Sequence, residues 1–248
     1  QLTMVQVWPD ANEIGRVWRV DLPIAADPLA VIRGLLARNA PEASEARKRW
    51  VSGLNAIHRK LLAPEWDKME DGVNFGAVCA AAARHVPKDA AITSDAGNFS
   101  SFLHRYFPFK QTQCFLASVV GAMGAAVPMA VAASLRRKGK RAVAFVGDGG
   151  ILMTGNEIAT AMREGVAPVI ILSDNSCYGT IGMHHEGRYP GRTYDKAIRL
   201  TNPDFIAWAK SFGAAAVSIE TEDQIEGALA EAFAITDRPV LVYVKSSA

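Results

Sequence analysis

Two uninterrupted apolar runs constrain this chain more than anything else in it. Val143-Ala144-Phe145-Val146 breaks off at Gly147-Asp148-Gly149-Gly150, and residues 168–173 break off at Asp174-Asn175. A strand buried on both faces reads as a continuous apolar run, and such strands belong to parallel sheets covered by helices. Residues 155–164, between the runs, fit a helix, which makes the stretch a strand–helix–strand unit.

The same alternation extends on both sides. Helices are expected at 74–85, about 118–138, 203–212 and 221–235, with strands at 90–94, 141–146, 168–173, 214–219 and 240–244. This predicts an α/β fold, a Rossmann-like parallel sheet with helices on both faces. Upstream, residues 4–8 and 17–20 are strand candidates. Residues 27–39 read as a helix with Asp27 as N-cap and Pro28 at its first position, and 42–62 as a charged helix ending at Pro64. Residues 63–72 are polar and acidic, so a boundary is placed there, dividing 1–62 from 63–248. Gln1 is not a start methionine and an apolar segment follows almost at once, which implies an upstream part. Residues 174–200, rich in Gly, His, Tyr and Arg, are expected to form a long functional loop.

A net charge of +2 offers no electrostatic argument for nucleic acid or an anionic membrane. Residues 117–135 carry no charge, but they are Ala, Gly, Ser and Val with Pro128 among them, which fits a small-residue helix inside a protein better than a membrane span. Cys79, Cys114 and Cys177 are widely spaced and odd in number. They suggest neither a disulfide framework nor a metal site and suit a reducing cytoplasm.

The chemistry is expected where the first run ends. A glycine-rich turn opening a helix presents backbone N–H groups to a phosphate. Ligands of open parallel sheets bind at the carboxyl ends of strands. Asp148 stands there, and beside a diphosphate its carboxylate needs an intervening cation, which suggests Mg²⁺. Alone, the tetrapeptide could equally be a chain reversal with a capping Asp. Asn175, 27 residues on, ends the next strand and offers a neutral oxygen to the same ion. Cys177 has no evident general base beside it in sequence. His184-His185 could be metal ligands or an acid/base pair, but adjacent residues seldom face one ion and a mobile active-site loop suits them better; Arg188 and Arg192 could meet a substrate carboxylate or face solvent.

Gly147-Asp148-Gly149 followed by Asn175 resembles the signature of thiamine-diphosphate enzymes. Asp95-Ala96-Gly97-Asn98, and Gly121-Ala122-Met123-Gly124 with Pro128-Met129-Ala130, resemble the acetolactate synthase group. Val5-Gln6-Val7, Ile14-Gly15-Arg16 and Asp21-Leu22-Pro23-Ile24, on to the Asp27 helix, are similar to the end of that group's middle domain. The resemblance implies that Asp148, the side chain of Asn175 and the carbonyl of Cys177 bind Mg²⁺. It implies that Gly147, Gly149, Gly150 and Gly179 contact the diphosphate, with Gly97 and Asn98 reaching it from the other side. Met123 would prop the cofactor into a bent shape, and the Gly121 carbonyl would accept from its aminopyrimidine. The family's essential glutamate belongs to a separate pyrimidine-binding domain, supplied by upstream sequence or another subunit, so no catalytic side chain is assigned here. A homodimer or homotetramer acting on a small-molecule substrate is implied. FAD binding is left undetermined, since only the end of the middle domain is matched. His184 stands where acetolactate synthases carry a pocket-shaping tryptophan, and Phe99 where they carry histidine. The reaction is therefore carboligation, decarboxylation of a 2-keto acid or C–C cleavage. A non-catalytic nucleotide-binding or regulatory module would explain the alternation, but not Asp148, Asn175 and Met123 together.

Overall fold

The computed structural model describes residues 2–62, 65–192 and 195–247. The chain comprises two compact units, residues 1–56 and 57–248. In the first, β1 (Val5–Trp8) pairs in parallel with β2 (Leu22–Ala25), and α1 (Pro28–Leu36) follows. Asp27 caps α1, its carboxylate accepting from Leu29 N at 2.7 Å. The second strand was expected at 17–20 and lies instead at 22–25. Asp21 sets that register, because its carboxylate accepts from Met4 N at 2.9 Å while its own N–H donates to the Met4 carbonyl. Val17 and Trp18 are left exposed. Helix α2 (Glu45–Leu62) spans the division between the units. Pro64, expected to end it, and Ala63, at the expected boundary, lie outside the described residues.

The second unit runs α3 (Phe75–His85), β3 (Ala91–Ser94), α4 (Asn98–Tyr106), β4 (Cys114–Ala117), α5 (Ala126–Arg136), β5 (Ala142–Gly147), α6 (Asp148–Thr154), α7 (Ile158–Arg163) and β6 (Val169–Asp174). It continues with α8 (Gly179–Arg188), α9 (Asp195–Ile198), α10 (Phe205–Ser211), β7 (Ala215–Ile219), α11 (Ile225–Ala234) and β8 (Val240–Lys245). The six strands are parallel, in the order β4-β3-β5-β6-β8-β7. Alternate residues of each strand serve opposite cores. Val143 and Phe145 join Ile92, Ile171 and Val242 beneath α3 and α11, while Ala144 and Val146 join Ile170, Leu172 and Leu241 beneath α5 and α10. Helices thus cover both faces, as the continuous apolar runs require.

Three expectations need correction. The helix expected from residue 118 starts at Ala126, because Gly121 (φ 67°) and Gly124 (φ 81°) take left-handed conformations that end helical geometry, and residues 114–117 form an edge strand. The glycine-rich turn 147–150 is itself the start of a helix: α6 opens at Asp148, directly on the strand end, and the helix expected at 155–164 follows it as a 3₁₀ turn (Gly155–Glu157) and α7. The expected loop 174–200 contains α8 and α9. Three glycines within α8 lower its intrinsic propensity and hid it, yet Gly182 lets it approach Ile198 closely.

From β3 the chain passes to β4 on one side, and from β5 to β6 on the other. The point where the winding reverses therefore lies between β3 and β5, the usual place for a ligand crevice. A helix position far from it tests the packing: Gly227, inside α11, has nothing within 4 Å of an added Cβ. Gly227→Ala should raise stability by about 0.4–1 kcal/mol in urea unfolding.

Candidate diphosphate and cation site

A cavity of about 460 Å³ opens at that crevice. Gly97, Asn98, Gly121, Met123, Gly147, Asp148, Gly149, Gly150, Asn175, Cys177 and Gly179 all line it. The structure therefore brings together every residue singled out above as a cofactor or metal contact. His184, His185, Arg188 and Arg192 are exposed and do not line the cavity.

Three helices begin at this cavity, and none has a side-chain cap. They are α4 after Gly97, α6 after Gly147 and α8 after Tyr178. Elsewhere α1, α3 and α10 are capped by Asp27, Asn74 and Asp204, while α7 and α11, also without side-chain caps, continue directly from 3₁₀ turns. The first N–H groups of a helix need partners, and an anion supplies them while complementing the helix dipole. One of these N–H groups, Gly149, is already taken by Asp148 Oδ1 at 2.8 Å. The α4 and α8 starts are tied to each other by the Thr180 hydroxyl, which donates to Asn98 Oδ1 at 2.9 Å.

Glycines keep the cavity open. A Cβ on Gly149 would come closer than 3.0 Å to the Tyr178 ring, and one on Gly150 closer than 3.0 Å to Asp95 Oδ2. Phe99 lies against Gly97 and Gly147 on the cavity wall. Met123 reaches from the segment between the two left-handed glycines, its Cε 3.3 Å from where a Gly149 Cβ would stand.

Two residues matter here to which sequence reasoning assigned no role. Asp95, at the end of β3, is buried, and its carboxylate accepts from Gly124 N at 2.7 Å and Ala126 N at 2.6 Å. It thereby caps α5 from a distance and ties β3 to the Met123 segment. Burial pushes its pKa up, against the lowering by those hydrogen bonds. Asn202 is the second. Its amide Nδ2 donates to Asp148 Oδ2 at 2.9 Å and to Asp174 Oδ1 at 2.7 Å. Asp174 also accepts from Ser176 N at 2.9 Å, which turns the chain sharply after β6 and puts Ser176 in a left-handed conformation (φ 52°). That turn sets Asn175 and Cys177 on the cavity wall.

Burial pushes the Asp148 carboxyl up to about 6, with the nearby Asp174 charge adding to it and the Asn202 and Gly149 hydrogen bonds opposing it. Burial also raises the Cys177 thiol, which keeps it protonated and argues against a nucleophile there. No helix among the described residues is long and apolar enough to cross a membrane.

Uncapped helix starts and a buried carboxylate line the crevice at the switch point of a parallel sheet, the place where doubly wound α/β proteins bind their ligands. The comparison with known proteins names the class. Residues 95–244 match the family model described as thiamine pyrophosphate enzyme, C-terminal TPP binding domain, and the chain belongs to that family. It is 29% identical over 242 residues to the probable acetolactate synthase large subunit of Methanocaldococcus jannaschii, covering 94% of this chain and 40% of the relative. It is 26% identical over 237 residues to the acetolactate synthase large subunit of Lactococcus lactis, covering 95% and 40%. To the acetolactate synthase of Bacillus subtilis it is 31% identical over 161 residues, covering 62% and 28%. The chain thus spans about two fifths, or less, of the length of these relatives.

Proposed function

We propose that this chain supplies the diphosphate- and Mg²⁺-binding half of a thiamine-diphosphate-dependent enzyme that acts on a 2-keto acid or related carbonyl compound. The observation that carries the reading is the convergence of three uncapped helix starts and one buried carboxylate on a single cavity. The donor set fits the cofactor's two demands. Backbone N–H groups of Gly97–Asn98, Gly150 and Gly179 suit a diphosphate, and that of Gly149 would join them on leaving Asp148 Oδ1. Asp148, the Asn175 side chain and the Cys177 carbonyl suit a hard cation that prefers oxygen. Met123 would support the bend of the cofactor, and the Gly121 carbonyl would orient its aminopyrimidine. When bound, thiamine diphosphate supplies the electron sink that stabilises a carbanion next to a former carbonyl carbon. The chain's own residues bind and orient it, and Phe99 and Met123 give the cavity apolar walls.

The acidic group for the aminopyrimidine is assigned to a pyrimidine-binding domain outside these residues, on upstream sequence or another subunit of a homo-oligomer. The nearly full exposure of Val119 (102%) and Val120 (87%), beside Gly121 at the cavity, supports a covering partner there. Phe99 on the cavity wall favours an acceptor pocket unlike that of acetolactate synthases, whereas His184 does not line the cavity, so the reaction is assigned only as carboligation, decarboxylation or C–C cleavage.

The test is a thermal-shift titration. Thiamine diphosphate and Mg²⁺ together should stabilise the protein, and neither alone should do so to the same extent. Stabilisation by adenine nucleotides instead, with no response to the pair, would move the assignment to a non-catalytic nucleotide-binding module.

A pH dependence follows from Asp148. Its carboxyl is raised from 3.8 to about 6, so in the cation-free protein its contribution to stability is present below 3.8 and is lost as pH rises through about 6. Mg²⁺ requires the ionised form, so the metal acts in the opposite sense. Apparent Mg²⁺ affinity should be level above about pH 6 and fall about tenfold per pH unit below it, as read from titrations across that range.

A further inference from the structure

We infer that Asn202 is a positioning residue for the cation site, clamping the Asp148 carboxylate from behind the cavity wall. The inference rests on the function proposed above. Asp148 lines the cavity, whereas neither Asn202 nor Asp174 does. Asp148 follows β5 and Asp174 ends β6, so the two sit side by side at neighbouring strand ends. Both are buried, and their carboxylates are close enough for one amide nitrogen to reach both. Two such anions left alone turn apart or share a proton.

The Asn202 amide nitrogen stands between them, at 2.9 Å from Asp148 Oδ2 and 2.7 Å from Asp174 Oδ1. An amide nitrogen carries two hydrogens, and here each is committed to one carboxylate. The other end of the amide is informative. Asn202 Oδ1 is buried without a hydrogen-bond partner. Reversing the amide would aim that oxygen at two carboxylates, so the anions fix its orientation. A side chain serving packing alone would be better apolar than half-satisfied. Holding the two carboxylates is what offsets the cost of the unpartnered oxygen.

The clamp is itself anchored. Residues 198–200 lie antiparallel to 176–178: Tyr178 N donates to the Ile198 carbonyl at 2.7 Å, Leu200 N donates to the Ser176 carbonyl at 2.9 Å, and Cys177 bridges to Arg199. The segment that carries Asn202 therefore also braces the turn from which Asn175 and the Cys177 carbonyl are proposed to reach the cation. One short stretch braces all three proposed ligands, and its Asn202 does so from outside the cavity lining.

Mn²⁺ is the probe, titrated by electron paramagnetic resonance with saturating thiamine diphosphate, on the wild-type protein and on Asn202→Leu. The leucine variant should bind Mn²⁺ about 10–100-fold more weakly, the usual consequence of removing a partner that orients a metal ligand. Adding Asp174→Asn should restore most of that loss, because the introduced amide can donate to Asp148 directly. A purely structural role predicts a different pattern: a lower melting temperature, unchanged Mn²⁺ affinity in the folded protein and no restoration. That pattern overturns the clamp. If Asn202→Leu does not fold, Asn202→Ser, which keeps a single donor, should show a smaller loss in the same direction, and unchanged affinity there overturns the clamp equally. A wild-type protein that fails to bind Mn²⁺ with thiamine diphosphate overturns the proposed function, and the clamp with it. Wild-type binding with unaltered affinity in the variants overturns the clamp alone.

Discussion

Asp148→Ala should abolish the stabilisation that thiamine diphosphate and Mg²⁺ confer together while leaving the cation-free fold intact. The first half follows from charge. Without the carboxylate, Asn175 and a backbone carbonyl remain as neutral donors, too weak to hold a divalent cation against water, and the diphosphate then approaches the strand ends uncompensated. A ligand present at 100 times its Kd stabilises by about 2.7 kcal/mol. That corresponds to a rise of about 5–10 °C in a protein of this size. The whole of this rise should be lost in the mutant. The second half follows from burial. The ionised Asp148 is disfavoured where it stands, since its carboxyl is pushed up to about 6. Removing it frees Asn202 to serve Asp174 alone. Cation-free stability near neutral pH should then stay within about 1 kcal/mol of wild type. A full thermal response in Asp148→Ala would sink the site assignment.

The second large effect belongs to Gly150→Ala. The new methyl would come closer than 3.0 Å to Asp95 Oδ2, and that carboxylate cannot swing aside without releasing Gly124 N and Ala126 N. Either the strand end shifts or buried N–H groups lose their partner, so a loss of about 2–4 kcal/mol is expected in urea unfolding. The same substitution at Gly227 should stabilise, so the pair separates close approach from helix propensity within one protein. The α5 start also carries the Met123 segment, so the Gly150→Ala loss should be accompanied by weaker cofactor binding. A loss below about 1 kcal/mol would mean that Asp95 does not hold the α5 start as described.

Much of this was legible because strand ends punctuate a parallel sheet. Val143–Val146 and Val169–Asp174 are buried on both faces, so their apolar runs stop where the chain reaches the cavity, and Asp148 and Asn175, just past those stops, line it. The helix starts were less legible. Gly121 and Gly124 read as members of a small-residue helix, because sequence alone does not report a positive φ. The glycines of α8 hid a helix for the converse reason. Asn202 was invisible for a different cause: it lies in a segment with no periodicity, and its partners, Asp148 and Asp174, come together only through the packing of β5 beside β6. Asp95 was noticed as part of a turn, but its capping of α5 spans 31 residues, beyond any local pattern.

The strand order carries a consequence for how the molecule is made. Strand β8 follows β7 in the chain yet lies inside it, hydrogen-bonded to β6 on one side and to β7 on the other. A nascent polypeptide emerged only as far as β7 therefore leaves β6 as a bare apolar edge, with β7 unable to dock against it. Ser246, just past β8, donates its N–H to the Asp174 carbonyl at 2.9 Å, and its hydroxyl meets that of Ser173 at 2.7 Å. The strand end that carries Asp174 thus acquires its final neighbours only after residue 246 has been synthesised. Until then that apolar edge stays open to pairing with another strand, including one from a second copy of the chain.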